Sequence, residues 1–330
     1  MPDWWEFTRR VVNTAFRRGY SADEFAKAVV ASGWRLESWI QAAANEFTRH
    51  GNTRQNFNVV LQQELYGDLL ARARTDGVER QVLHALQMPS WYATTEAAKV
   101  CDFFERHYGD TSLMRLVKWL LAAEQAGRMP FAVVSFNVEP LFHTVFNCFH
   151  QRAYAQKYES PRFRLERVTT PNYVRTDPPE RLGNSTTVLV YHCHGALIPR
   201  VPHNTVLLSG AGDPILSEED YNDVSGRAAT WPETVFMYHA NFSRMVFVGI
   251  STTDPNIRRW LCLSQEQTNA GKVLRGGRNH PPHLWIHKPT EENRSVLESG
   301  LSHLGVMPAW TQNWDELGNA LANLTGTSSG

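Results

Sequence analysis

The spacing of apolar residues changes near residue 128, and this change constrains the fold more than any other feature of the chain. Before it, apolar side chains recur every three or four residues, which is the spacing of a helix with one buried face. The clearest example is the segment TSLMRLVKWLLAAEQAG, at 111–127. Thr111 or Ser112 suits the N-cap of this helix, and Gly127 suits its end. The spacing therefore predicts a helix here.

The rest of the first 128 residues follows the same pattern, with no strong strand signal between the helices. Ser21 with Glu24 forms the capping-box pattern that begins a helix. The predicted helices cover 22–31, 36–47, 57–73 and 96–107. We therefore expect residues 1–128 to form a helical N-terminal subdomain.

Beyond residue 128 the apolar residues gather in short runs. Most of these runs do not alternate with polar residues, as expected for strands that are buried on both faces. They are FAVVSF at 131–136, TTVLVYHC at 186–193, TVLLS at 205–209, MVFVGI at 245–250, HLWIH at 283–287 and GVMPAW at 305–310.

Helix signals follow several of these runs. Asp254 and then Pro255 place an N-cap before a first-turn proline, and Asn313 opens another helix near the C-terminus. Strands that alternate with helices indicate an α/β fold, here a Rossmann-like, doubly wound and mainly parallel sheet. We expect this sheet within residues 129–324 and a disordered tail at 325–330.

Composition excludes several classes of function. The 33 basic and 33 acidic residues cancel, so net charge gives no support for binding to nucleic acid. No apolar run approaches the roughly 18 residues that a membrane span needs, and the N-terminus lacks the pattern of a signal peptide. The four cysteines form no CxxC pair, and no HExxH spacing occurs. We therefore expect a cytoplasmic protein with reduced thiols and no metal.

Polar residues stand where three of the predicted strands end. In a doubly wound sheet, ligands bind outside the carboxyl ends of the strands. Asn137 lies at the first of these ends, and its uncharged amide is able to hold a water or a ribose hydroxyl. The alternative is an ordinary strand-to-helix turn, because Asn137-x-Glu139-Pro140 suits such a corner.

His194 stands at the second strand end, directly before Gly195. A histidine in a cleft is able to act as a general base near neutral pH, and glycine lets a ligand approach the backbone closely. His192, two residues earlier, points to the same face of a strand. The alternative is a partly buried histidine whose hydrogen bonds are satisfied within the protein.

The third strand end carries small and hydroxyl residues, from Gly249 through Ser251 to Asp254. They leave room for a sugar or a phosphate beside the start of the next helix. The alternative is a plain N-cap loop. The stretch SEEDY, at 217–221, is most simply a helix N-terminus with favourable acidic residues.

In their order along the chain, these stretches resemble the SIR2-like family, the sirtuin-related domains of bacterial antiphage defence systems. The matching elements of the family are a T-x-N-Y-D-x-L strand end, a His-Gly element, an L-T/S-E-x-D-Y segment and an F-I-G-x-S-x-x-D-P-N-x-R-x-L element. In this chain they are similar to SFNVEPL at 135–141, VYHCHGAL at 190–197, ILSEEDY at 215–221 and MVFVGISTTDPNIRRWL at 245–261.

The resemblance implies roles for single residues. Asn137 takes the place of the family's catalytic asparagine, and His194 takes the place of its catalytic histidine. Glu139 stands for an aspartate of the family and would orient Asn137 or stabilise the cation formed in the reaction. The residues implied to contact bound NAD+ are Ser135, Glu139, Gly195, Gly249, Ser251 and Asp254.

The start of the chain, MPDWWEFTRRVV, resembles the Pro-x-Trp that precedes a helix in the family, with Pro2 and Trp4 in register. In the family, a strand and a phosphate-binding Gly-Ala-Gly-x-Ser loop come before this point. We expect either a truncated start or a copy that lacks the loop. The sirtuin zinc ribbon has no counterpart here, which argues against protein deacetylation.

The resemblance implies that the protein cleaves the nicotinamide–ribose bond of NAD+ to give nicotinamide and ADP-ribose, as an effector of antiphage defence that depletes NAD+. Two alternatives stay open: a catalytically inactive module that binds NAD or ADP-ribose, and an NAD-dependent protein deacylase. Family members often form homo-oligomers or act beside an ATPase, an Argonaute-type protein or a sensor, so we expect an oligomer or such a partner.

Overall fold

The computed structural model describes most of the chain, with gaps between the described ranges. The described residues are 1–87, 94–156, 163–168, 181–182, 185–199, 214–226, 230–250, 254–275, 281–288 and 294–325.

Residues before 128 fold into seven helices within the described ranges, and we call this part the helical segment. These helices are α1 Trp4–Phe16, α2 Ala22–Ser32, α3 Leu36–Arg49, α4 Arg54–Thr75, α5 Glu79–Gln87, α6 Thr94–Tyr108 and α7 Ser112–Gln125.

The predicted helix signals of this segment are confirmed. Ser21 and Glu24 form both bonds of the capping box at the start of α2. The Thr111 side chain accepts a hydrogen bond from the Met114 amide at the start of α7. Gly127, with φ of +66°, follows α7 in the left-handed region that glycine tolerates best. Helix α5 was not predicted from the sequence.

Four strands form the first sheet. They are β1 Ala132–Ser135, β2 Phe163–Val168, β3 Arg181–Leu182 and β4 Ser185–His192. Strand β4 lies between β1 and β2 and is parallel to both, and the short β3 pairs with its beginning in antiparallel fashion. In the register of the first pair, Ser135 lies opposite His192. The ends of β1 and β4 therefore lie side by side.

Three parallel strands, in the order β5-β6-β7, form the second sheet. They are β5 Val246–Val248, β6 His283–His287 and β7 Val306–Trp310. The helices of this half are α8 Leu141–Gln156, α9 Glu218–Gly226, α10 Trp231–Phe242, α11 Pro255–Arg275, α12 Arg294–Ser302 and α13 Leu317–Thr325, with a 3-10 turn at Trp314–Glu316.

The short parallel strands and the helices between them confirm an α/β fold. Five of the six predicted strands lie where the sequence placed them, whereas β2 and β3 were missed. The predicted run at 205–209 and the tail at 326–330 lie outside the described residues. The described strands form two sheets, and a single doubly wound sheet stays a prediction.

Strand β1 is less buried than its apolar sequence predicts. All four of its residues are half-buried, whereas Val188 to Tyr191 of β4 are buried. The reason is its position, because β1 lies at the edge of its sheet and β4 is its one described strand partner.

The helical segment and the first sheet share one hydrophobic core, which includes Phe57 and Leu61 of α4 and Val188 and Val190 of β4. A buried hydrogen bond joins the helical segment to the chain that follows β4: the Tyr66 hydroxyl donates to the Leu197 carbonyl oxygen at 2.7 Å.

Helix α10 packs against both sheets. The ring of His239 lies 5.7 Å from that of Tyr191 in the first sheet, and the ring of Phe236 lies 6.2 Å from that of Phe247 in the second. Phe136, just beyond β1, contacts Phe236 and Trp260 at 6.1 and 6.3 Å between ring centroids. The aromatic side chains thus connect the carboxyl end of β1 to the core under the second sheet.

No helix in the described parts of the chain combines the length and the apolar character that crossing a membrane requires. All four cysteines are free thiols.

Replacing Tyr66 by phenylalanine should lower the free energy of unfolding by about 1 kcal/mol, because the Leu197 carbonyl oxygen loses a buried donor. Urea denaturation of the purified variant measures this loss. Tyr20→Phe is the matched control, since the Tyr20 hydroxyl forms no hydrogen bond with the described residues. An equal loss in both variants would contradict the role of the Tyr66 bond.

Candidate functional site

Asn137 follows β1 directly, and its backbone is held from two sides. Its amide nitrogen donates to the Ser135 Oγ at 3.2 Å, and its carbonyl oxygen lies 3.3 Å from the Nδ1 of His192. The side chain is exposed, and its Nδ2 donates to the Glu139 Oε1 at 3.1 Å. The predicted strand-to-helix turn is therefore present, and it presents the Asn137 amide to solvent in a set orientation.

His192 supports this turn from the neighbouring strand. It is the last residue of β4 and is 2% exposed. The buried ring of His143, from α8, lies 5.5 Å from the His192 ring in an edge-to-face arrangement. Parallel pairing of β1 with β4 thus places a buried pair of imidazoles next to the backbone of Asn137.

His194 lies two residues beyond, in an enclosed position. It is 7% exposed, and its ring packs edge-to-face against Phe136 and Tyr221, with centroids 5.1 and 5.3 Å away. Burial lowers the pKa of His194 to about 4, although the nearby charge of Asp254 and a hydrogen bond to the Phe136 backbone act in the opposite direction. The imidazole is therefore neutral near pH 7 and has an acceptor nitrogen.

Glu139 is the second titratable group beside Asn137. Burial raises its pKa to about 7, and the hydrogen bond from Asn137 opposes this shift. The carboxyl group therefore changes charge near neutral pH. When it is ionised, it accepts the Asn137 Nδ2 bond and fixes the direction of the amide.

Two glycines take left-handed backbone angles at the ends of strands. Gly195 has φ of +73°, and its amide donates to the His192 carbonyl oxygen at 2.9 Å, which turns the chain after β4. Gly249 follows β5 with φ of +66° and is exposed. A side chain is strained at either position, because L-residues rarely adopt these angles. Within the described residues, Gly249 forms no hydrogen bond with Asn137 or His194.

Asp254 begins α11, as predicted. Its Oδ1 accepts hydrogen bonds from the amides of Asn256 and Ile257 at 2.8 and 3.3 Å. The same carboxylate is close enough to His194 to influence its pKa. Ser251 lies outside the described residues.

Sequence reasoning gave too little weight to Tyr221 and none to Phe136, the two rings that enclose His194. Tyr221 belongs to the SEEDY stretch, which was interpreted only as a helix start. A single aromatic residue after an acidic cluster carries no local signal of its contact with a histidine 27 positions earlier.

This part of the chain matches a known protein family. A family model described as the SIR2-like domain matches residues 132–305, which is more than half of the chain. The chain belongs to the SIR2-like family. The match begins at β1 and includes all eight site residues predicted above. No match was found among curated proteins.

The described residues contain no group of three or more His, Cys, Asp or Glu side chains that could hold a metal ion.

A cavity of about 600 Å³ lies away from the predicted site, beside β7 and α12. It is lined by residues such as Ser264, His283, Arg294 and Trp310, and none of the predicted site residues lines it.

The structure brings most of the predicted site residues of this SIR2-like protein together. Ser135, Asn137 and Glu139 form one hydrogen-bonded turn, His194 packs against Phe136 within it, and the charge of Asp254 acts on His194. Gly195 forms the turn after His194, and Gly249 stands apart at the end of β5. The arrangement combines an exposed amide, a carboxyl group that titrates near pH 7 and a neutral imidazole.

The pKa of Glu139 gives a direct test of this geometry. The 13C signal of its side-chain carboxyl should titrate near pH 7, with the signal assigned by its loss in Glu139→Gln. A raised pKa stabilises the folded state fully below the ordinary value of 4.5, and this stability is lost as the pH rises through 7. The unfolding free energy of the wild type should therefore fall between these pH values relative to Glu139→Gln. A midpoint near 4.5 would contradict the buried position of the carboxyl group.

Proposed function

We propose that this SIR2-like protein hydrolyses NAD+ at the nicotinamide–ribose bond and releases nicotinamide and ADP-ribose. One observation carries the proposal: the exposed amide of Asn137 and the neutral imidazole of His194 lie at the carboxyl ends of two adjacent parallel strands. This is where a doubly wound sheet binds its ligand, and we extend that architecture to this protein. Membership of the SIR2-like family fits an NAD-related function.

The chemistry of the bond suits a site without a strong acid. The nicotinamide ring is cationic in NAD+ and leaves as a neutral molecule, so its departure needs no proton. Cleavage of such a glycosidic bond passes through an oxocarbenium-like transition state. The protein then has to hold the ribose, stabilise positive charge and place a water.

Asn137 is suited to placing that water. Its backbone is fixed by Ser135 and His192, and its amide direction is set by Glu139. The amide oxygen accepts a hydrogen bond from water or from a ribose hydroxyl. When ionised, the Glu139 carboxylate also adds negative charge next to the developing cation.

His194 is suited to accepting a hydrogen bond or a proton from a ribose hydroxyl. Its low pKa keeps it unprotonated at neutral pH, and Asp254 stabilises the imidazolium that forms when it takes up a proton. Gly195 lets the sugar approach the backbone. We assign Gly249 and Ser251 to contacts with the adenosine ribose of NAD+.

The wider role that we propose follows from the reaction. Hydrolysis consumes NAD+ with water as the second reactant, so it depletes the cofactor. Depletion of NAD+ suits an effector of antiphage defence. We propose that the protein acts as a homo-oligomer or together with a separate sensor, ATPase or Argonaute-type protein.

Asn137→Ala and His194→Ala should each lower NAD+ turnover by at least about 100-fold, because each removes a positioned catalytic group. Nicotinamide release measured by HPLC gives the turnover. Asn52→Ala and His50→Ala are matched controls, since both side chains are exposed on the helical segment away from the site. Wild-type turnover in both folded site variants would exclude these roles.

One observation favours a second function, a non-catalytic module that binds NAD or ADP-ribose. The ring of His194 is enclosed by Phe136 and Tyr221, which limits its contact with a substrate. Isothermal titration with NAD+ and with ADP-ribose, beside the nicotinamide assay, separates the two functions. Binding without nicotinamide release would support the module.

A further inference from the structure

The start of α9 is organised around the carboxylate of Asp220. Its Oδ2 accepts hydrogen bonds from the amides of Leu216 and Ser217, at 3.2 and 2.9 Å, and from the Ser217 hydroxyl at 2.7 Å. The Ser217 Oγ in turn accepts from the Asp220 amide at 3.3 Å. This reciprocal capping orders the first turn of the helix.

The same carboxylate is held by the helical segment. Arg54, the first residue of α4, donates through one guanidinium nitrogen to both Asp220 oxygens, at 3.0 and 3.3 Å. Gln41 of α3 adds a second link, because its Oε1 accepts from the Glu219 amide at 3.1 Å. Both partners are more than 160 residues away in sequence. The first turn of α9 is therefore tied to α3 and α4 by side chains.

Tyr221 follows Asp220 in this turn, and its ring packs against His194 with centroids 5.3 Å apart. Burial raises the pKa of Tyr221, and the charges of Asp254, Glu37 and Asp220 act in the same direction. The phenol therefore stays protonated and neutral beside the imidazole. A displacement of the α9 start would move this ring relative to His194.

We propose that the Arg54–Asp220 ion pair is a positioning device through which the helical segment sets the placement of His194, with Tyr221 as the contacting side chain. Arg54 and Asp220 are positioning residues, because neither touches His194 in a described contact. The activity readout of this proposal rests on the proposed NAD+ hydrolysis, whereas its structural readout does not.

A purely stabilising ion pair would behave differently. The two side chains are 35% and 23% exposed, and pairs of this exposure contribute little to stability because water screens them. Loss of Arg54 should therefore leave the fold largely intact. A positioning role instead predicts a change at His194, which lies two residues beyond the end of β4, whereas the substituted residue is on α4.

The decisive variant is Arg54→Gln, examined by NMR of protein labelled at histidine. The His194 signal is assigned by its loss in His194→Gln. Because the Tyr221 ring lies edge-to-face at 5.3 Å, its ring current acts on the His194 resonance, and Arg54→Gln should shift that resonance. NAD+ turnover should fall roughly ten-fold in kcat with little change in KM, as misplacement of a catalytic group predicts.

Arg10→Gln is the matched control. It removes an ion pair between α1 and α4, with Arg10 Nη1 2.9 Å from Asp68 Oδ2, together with the 2.7 Å contact of Arg10 Nε with Glu6 Oε1 within α1. This variant should leave both the His194 signal and turnover unchanged. Arg54→Lys keeps the charge and should recover part of the wild-type values, which separates positioning from unfolding if Arg54→Gln folds poorly.

A Tyr221 variant tests the route. Tyr221→Leu removes the ring and should reproduce the effect of Arg54→Gln, and a second substitution at Arg54 should then cause no further change. An unchanged His194 signal in Arg54→Gln, or additive effects of Tyr221→Leu and Arg54→Gln, would overturn the proposal. If Arg54→Gln shifts the His194 signal while the wild type releases no nicotinamide, the proposed hydrolysis is rejected and the positioning role is still supported.

Discussion

Parallel pairing of β1 with β4 is the constraint on which the rest of the site depends. Because Ser135 lies opposite His192, the chain leaves both strands at the same edge, with Asn137 beside His192 and Phe136 beside His194. A register shift of one residue would turn the His192 side chain to the other face of the sheet and separate it from the Asn137 turn. The backbone pairing of β1 with β4 therefore brings these polar groups close together, independently of contacts between their side chains.

Burial then sets the chemistry of these groups. The same loss of hydration lowers the pKa of His194 to about 4 and raises that of Glu139 to about 7, so the imidazole is neutral near pH 7 whereas the carboxyl group changes charge there. Asp254 supplies the compensating charge for a protonated His194 while it caps α11. Contacts from the helical segment complete the environment, since Tyr66 bonds the chain after His194 and Arg54 bonds the start of α9. The helices before residue 128 therefore form part of the site's support.

Much of the fold was predictable because its signals are local. The capping residues Ser21, Thr111 and Asn313, and the apolar runs of β1, β4, β5, β6 and β7, are readable within a few positions. Strand β2 was missed because FRLERV is not a continuous apolar run and its alternation of apolar and charged residues breaks at Arg167. Strand β3 was missed because it is only two residues long. The half-buried state of β1 was also missed, since an apolar run carries no information on whether its strand lies at an edge.

The sequence by itself determined where the helices begin, which runs become strands, and the order of motifs that identifies the SIR2-like family. It also placed Asn137 and His194 at strand ends. Only the tertiary structure decided that His194 is enclosed by Phe136 and Tyr221, that burial raises the pKa of Glu139, and that Arg54 reaches Asp220. The physical reason is that hydration and ion pairing depend on neighbours in space, and these neighbours lie up to 166 residues apart along the chain.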